Sequence, residues 1–122
     1  DFFKPVVDEF NPREMEAKMP EVLERLDRIF RALAEANGEG DIFYVGLYYP
    51  FADVPALKDG EELVHRWNYE VNKTAAKYGN ITVVPTFDLF DGRLDLLLYS
   101  DHYHPNEEGY TRIARRILEL LR

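Results

Sequence analysis

Asp41-Ile42-Phe43-Tyr44-Val45-Gly46-Leu47-Tyr48-Tyr49, closed by Pro50, is a nearly continuous apolar and aromatic run. It is too short for a buried helix. Its lack of polar alternation suits a strand covered on both faces, as in a parallel sheet. A second run, Ile81 to Val84, has the same character and ends at Pro85. Between the two, residues 61 to 78 carry Leu63, Val64, Trp67, Val71, Thr74, Ala75 and Tyr78 at helical spacing, and Gly79-Asn80 closes that helix. Strand, helix and strand in this order predict α/β layering with a parallel sheet.

Outward from this unit, a long helix is expected from about Asn11 to Ala36. Asn11 caps it, Pro12 suits its first position and Glu14 stands at the capping-box site. Met15, Met19, Val22, Leu23, Leu26, Ile29, Phe30 and Leu33 form its apolar stripe, Pro20 is expected to split it in two, and Asn37-Gly38 ends it. After an irregular stretch from Thr86 to Pro105, a last helix is expected from about Asn106 to Leu121. Its apolar positions are Tyr110, Ile113, Ala114, Ile117, Leu118 and Leu121; Glu107 and Glu108 open it, and Arg122 ends it, as the helix dipole favours. Two fully buried strands need more neighbours and cover than three amphipathic helices provide. The 122 residues therefore read as one domain, and as the second half of a larger α/β unit.

Composition narrows the function. Twenty-three acids against 15 bases give a net charge of -8. The densest basic positions, Arg112, Arg115, Arg116 and Arg122, are spread along the apolar last helix as a solvated face, which argues against a nucleic-acid partner. No apolar run approaches the roughly 18 residues of a membrane span. Cysteine is absent, which excludes disulfides, thiolate metal sites and thiol nucleophiles. Serine occurs once, at Ser100. Nothing assigns a compartment, because any export signal would lie upstream of residue 1.

The chemistry concentrates in Ser100-Asp101-His102-Tyr103-His104-Pro105-Asn106, beyond the second strand. In open α/β sheets, ligand sites form outside the carboxyl ends of the strands. Asp101 and His104 are spaced so that the carboxylate can reach Nδ1 of the imidazole, leaving Nε2 as a general base. Three readings stand side by side at this point. Asp101 and His104 satisfy loop backbone, or Asp101, His102 and His104 bind a divalent metal, or Asp101 and His104 are the acid and base of a triad that lacks its nucleophile.

Asp101-His102-Tyr103-His104-Pro105-Asn106, followed by Glu-Glu-Gly-Tyr-Thr-Arg-Ile-Ala, resembles the last conserved block of the SGNH (GDSL-type) hydrolases, Asp-x-x-His continued by Pro-Asn, a glycine and an apolar helix. With the Trp67-Asn68 to Asn72 helix and strand Ile81 to Val84, the resemblance extends over most of the chain. It implies a three-layer α/β/α, flavodoxin-like sandwich and hydrolysis of an acyl ester, from a small molecule or a lipid, without cofactor or metal. His104 is then the base that takes the serine proton, and Asp101 orients it. His102 and Tyr103 fill variable positions and inherit no role.

The chain also departs from that pattern. The family's serine block, and the blocks that supply a glycine and an asparagine to the oxyanion hole, do not occur here, and Ser100 is badly placed to serve His104 while Asp101 holds it. Asp1-Phe2-Phe3 falls where the family's Gly-x-Asn-Asp block would end. An N-terminal segment of the same domain is therefore the expected partner, and these residues alone are expected to be inert. The alternative is a non-catalytic α/β interaction module. Tyr48, Tyr49, Phe51 and Phe90 follow strand ends; they either pack or line an acyl pocket, and Tyr49 and Phe51 are the candidate substrate-binding residues. His65, two positions before Trp67, is expected to face solvent and is given no role.

Overall fold

A computed structural model describes residues 3–121, in the order α1 (Lys4–Glu9), α2 (Pro12–Ala36), β1 (Ile42–Val45), α3 (Gly60–Ala75), β2 (Ile81–Val84), α4 (Phe87–Phe90), α5 (Leu94–Leu97) and α6 (Glu107–Leu120). One 3-10 turn, Pro55–Leu57, precedes α3. The expectations placed on Asp1, Phe2 and Arg122 lie outside the described residues.

Strands β1 and β2 pair in parallel, with Ile42 opposite Ile81 and Val45 opposite Val84, and α3 is the crossover between them. The chain is thus mixed α/β with a small two-stranded parallel sheet. Ile42, Tyr44, Ile81 and Val83, alternate residues of the strands, pack with Phe30, Val71 and Ala75 of the two long helices. Phe30 meets Tyr44 edge-on at 5.2 Å. A second cluster of Phe90, Leu94, Leu97 and Ile113 joins α4, α5 and α6. Arg116 fastens α6 to the exit of β2, donating to the Pro85 carbonyl at 2.8 Å and to Asp88 at 2.6 Å. Asn80 fastens the entry of β2, its side-chain amide donating to the carbonyls of Ala34, Gly38 and Gly40.

Helix α2 runs unbroken through Pro20, against the expected division. Proline removes one N–H from the ladder, which leaves the Glu16 carbonyl without its helical donor. Both residues are exposed, so water can serve that carbonyl, and the apolar stripe keeps its period across the proline. The first strand is also shorter than expected, ending at Val45 rather than Tyr49. Gly46 N still donates to Val84 O of β2 at 2.8 Å, and from there the continuation is held by side chains. Asn68 accepts from Leu47 N at 3.1 Å and donates to Leu47 O at 2.9 Å, while buried Thr86 donates to Gly46 O at 2.7 Å. Gly46 must pass close here, because a Cβ would lie 3.2 Å from the Val84 carbonyl.

Full cover of both strands is not found. Among the described residues β1 has one strand partner, and Val45 and Leu47 remain 42% and 45% exposed. The stretch expected to be irregular holds the two single-turn helices α4 and α5. No helix among the described residues is long and apolar enough to cross a membrane.

Candidate active site

The loop between α5 and α6 is built by its own hydrogen bonds. Leu98 and Pro105 form an isolated antiparallel bridge, Tyr99 N donates to His104 O at 2.8 Å, and His102 N donates to Tyr99 O at 2.9 Å. His102 takes a left-handed φ of 57° to close that turn. A non-glycine residue there is uncommon, and local side-chain bonding supports it.

Asp101 supplies that bonding. Its Oδ1 accepts from the backbone N–H of Tyr103 and of His104, both at 3.0 Å, while its Oδ2 lies 2.6 Å from His104 Nδ1. The hydrogen bond from the imidazole, and next the Tyr103 N–H, hold the Asp101 carboxyl below its ordinary value. One carboxylate therefore does both jobs that the sequence left as alternatives, organising the loop with one oxygen and orienting the imidazole with the other. His104 is 63% exposed on its side chain, and Nε2 has no hydrogen-bond partner among the described residues. An imidazole bonded at Nδ1 and open at Nε2 is arranged to accept a proton from a group brought to it. Among the described residues, no three His, Asp or Glu side chains are gathered so as to hold a metal ion.

Asn106 anchors the loop's far end. Its Oδ1 accepts from Gly109 N at 2.9 Å, capping α6, and its Nδ2 donates to the carbonyls of Leu96 at 2.8 Å and Leu98 at 3.3 Å. Gly109 is required by close approach, since a Cβ would stand 2.5 Å from the Leu97 carbonyl and 2.9 Å from Pro105 Cβ. Tyr48 reaches the loop from the continuation of β1. Its ring stacks on buried Phe90 at 4.2 Å, and its hydroxyl donates to Tyr103 O at 2.7 Å. Burial, and then neighbouring Tyr103, pushes that phenol up to about 12, so it stays a donor at neutral pH.

Ser100 is exposed and makes no hydrogen bond to His104; it lines a separate hollow with Pro50, Asp53 and His102. The aromatic candidates divide. Phe90 and Tyr48 pack together in the second core cluster. Tyr49 is buried, with its hydroxyl on the Leu57 carbonyl and its ring against Gly60. Phe51 stands beside the loop, stacked on Tyr103 at 5.9 Å and edge-on to Tyr49 and Phe3. His65 is exposed as expected, although its ring lies 4.1 Å from that of Phe87.

Two positioning contacts were not legible beforehand. Tyr48 stands 55 residues from its acceptor, and no local pattern signals that bond. The clamp by Asn106 is the other, since the sequence marked that residue only as the approximate start of the last helix.

No family model matches the chain. Over 101 residues, 80% of this chain, it is 30% identical to the uncharacterized protein YpmR of Bacillus subtilis (strain 168). The chain spans about 40% of the length of that relative.

Proposed function

We propose that these residues form the C-terminal part of an SGNH-type serine ester hydrolase and supply the His104–Asp101 half of its catalytic triad. The observation that carries this reading is the 2.6 Å contact between Asp101 Oδ2 and His104 Nδ1, with Nε2 left open. It gains support from the Asp-x-x-His-Pro-Asn block and from the position of the loop past the end of β2.

In this reading the serine and the oxyanion donors come from polypeptide outside these 122 residues, as does the rest of a three-layer flavodoxin-like sandwich. The edge of β1 not paired to β2 is where further strands would join. The serine oxygen attacks the ester carbonyl carbon as its proton passes to His104 Nε2. Asp101 stabilises the resulting imidazolium without itself taking the proton. The tetrahedral intermediate expels the alcohol, which receives the proton from His104. Water then repeats the sequence on the acyl-enzyme, with His104 again acting as base and then as acid.

The test is hydrolysis of p-nitrophenyl acetate by the natural polypeptide that carries these residues. His104→Ala is expected to lower kcat by several orders of magnitude, up to about 10⁶-fold, the cost of removing a triad histidine. Folding should be little changed, because the imidazole is mostly in solvent. Rates near those of the parent would sink the assignment.

A further inference from the structure

The Asp101–His104 pair is held mostly by its own loop. Among the described residues, the hydrogen bonds of Asp101, Tyr103 and His104 run within residues 99–104, with one exception. The Tyr48 hydroxyl, arriving from the continuation of β1, donates to the Tyr103 carbonyl at 2.7 Å.

That carbonyl belongs to the peptide unit that enters His104. The unit is planar and trans, so its C=O and N–H point in opposite directions and turn together. Both ends are held here, the carbonyl by Tyr48 and the His104 N–H by Asp101 Oδ1 at 3.0 Å. The other oxygen of the same carboxylate meets His104 Nδ1 at 2.6 Å. Turning the plane would pull the N–H off Oδ1 and take the imidazole out of line with Oδ2.

Tyr48 is a stiff support for this plane. Its neighbour Leu47 is fixed at both backbone groups by Asn68 of α3. Its ring stacks on fully buried Phe90 at 4.2 Å, with the two planes 20° apart. With backbone and ring both fixed, the position of the hydroxyl oxygen is set. The bond is not needed to satisfy a buried acceptor, because Tyr103 is 50% exposed and water can serve its carbonyl. What water does not supply is a fixed direction.

We infer that Tyr48 is a positioning residue for the base: it sets the Tyr103–His104 peptide plane and, through it, the alignment of Asp101 with the imidazole. The effect on rate rests on the esterase reading; the effect on the loop does not.

The test compares the natural polypeptide with Tyr48→Phe, which keeps a ring on Phe90 and removes only the donor. A misplacement of about 1 Å costs on the order of 100-fold in rate. The loop keeps its other bonds, so kcat for p-nitrophenyl acetate is expected to fall by about 10- to 100-fold, with KM within about twofold of the parent. A contact that merely steadies the fold would lower the thermal midpoint and leave kcat of the folded protein unchanged. A kcat within about twofold of the parent, or a loss confined to KM, would therefore overturn the inference.

A second measurement does not depend on hydrolysis. Backbone amide relaxation by NMR gives order parameters for Tyr103 and His104. They are expected near the rigid value of about 0.85 in the parent and to fall toward about 0.6 in Tyr48→Phe, with those of β2 unchanged. If the parent hydrolyses no ester, the esterase reading fails separately, and this comparison decides alone. The fall would uphold the plane-setting role of Tyr48. Equal order parameters in parent and variant would overturn it, whatever the rates.

Discussion

Asn106→Ala removes the side chain that joins the Asp101–His104 loop to the start of α6. The structure allows its cost to be worked out. Loss of the Oδ1 cap on Gly109 N carries about 1 kcal/mol, the usual figure for an N-cap residue. The two bonds from Nδ2 add about 0.5 kcal/mol each, the low end for a hydrogen bond, because Leu96 is exposed enough for water to replace its partner and the Leu98 contact is long at 3.3 Å. The total is about 2 kcal/mol. The backbone N–H of Asn106 still donates to Leu97 O, so the loop should stay closed and m-values in urea should not change. Asn106→Ser separates the parts, since serine caps as well as asparagine but is too short to reach both carbonyls. Urea denaturation is expected to show about 2 kcal/mol lost in the alanine variant and roughly half of that in the serine variant. A loss under about 0.5 kcal/mol for alanine, or equal losses for both, would refute the assignment of these roles.

Two further outcomes follow from the same loop. Gly109→Ala gains up to about 1 kcal/mol of helix propensity, but its Cβ meets the Leu97 carbonyl and Pro105, which are fixed backbone and ring atoms. A net loss of about 1–2 kcal/mol is expected from overpacking, and unchanged or higher stability in urea would contradict the close approach. For Asp101, the hydrogen bond from His104 lowers the folded value below the ordinary 3.8, so the ionised form stabilises the fold above that pH and the contribution fades as pH falls through the lowered value. Asp101→Asn keeps an oxygen for the loop N–H groups and should flatten that part of the acid limb; an identical pH profile of urea midpoints between about pH 5 and 2 would rule this out.

Much of this fold was legible because its signals are local. Asn11 caps the helix it was expected to cap, the last helix starts within a residue of where it was expected, and Ile81 to Val84 is the strand that its composition implied. The division at Pro20 failed although an interior proline costs about 3 kcal/mol: water can serve the carbonyl it frees on the solvent face, and Leu23, Leu26 and Phe30 beyond it pack into the core under the sheet. The first strand stopped early because pairing depends on a neighbour. From the Gly46 carbonyl onward, Asn68 and Thr86 replace that neighbour, and neither side chain announces this role in sequence. Asp101 and His104 were legible as a pair by spacing, whereas of the apolar hollow walled by segments as far apart as Val6 and Trp67 only Tyr49 and Phe51 were singled out from the sequence.

The central claim is that His104 and Asp101 serve a serine that these 122 residues do not contain. Labelling the natural polypeptide with a fluorophosphonate and mapping the adduct by mass tests it directly. A single labelled serine outside the present sequence, with labelling abolished by His104→Ala, is the predicted result. An adduct on Ser100, or no adduct on any serine, would contradict it.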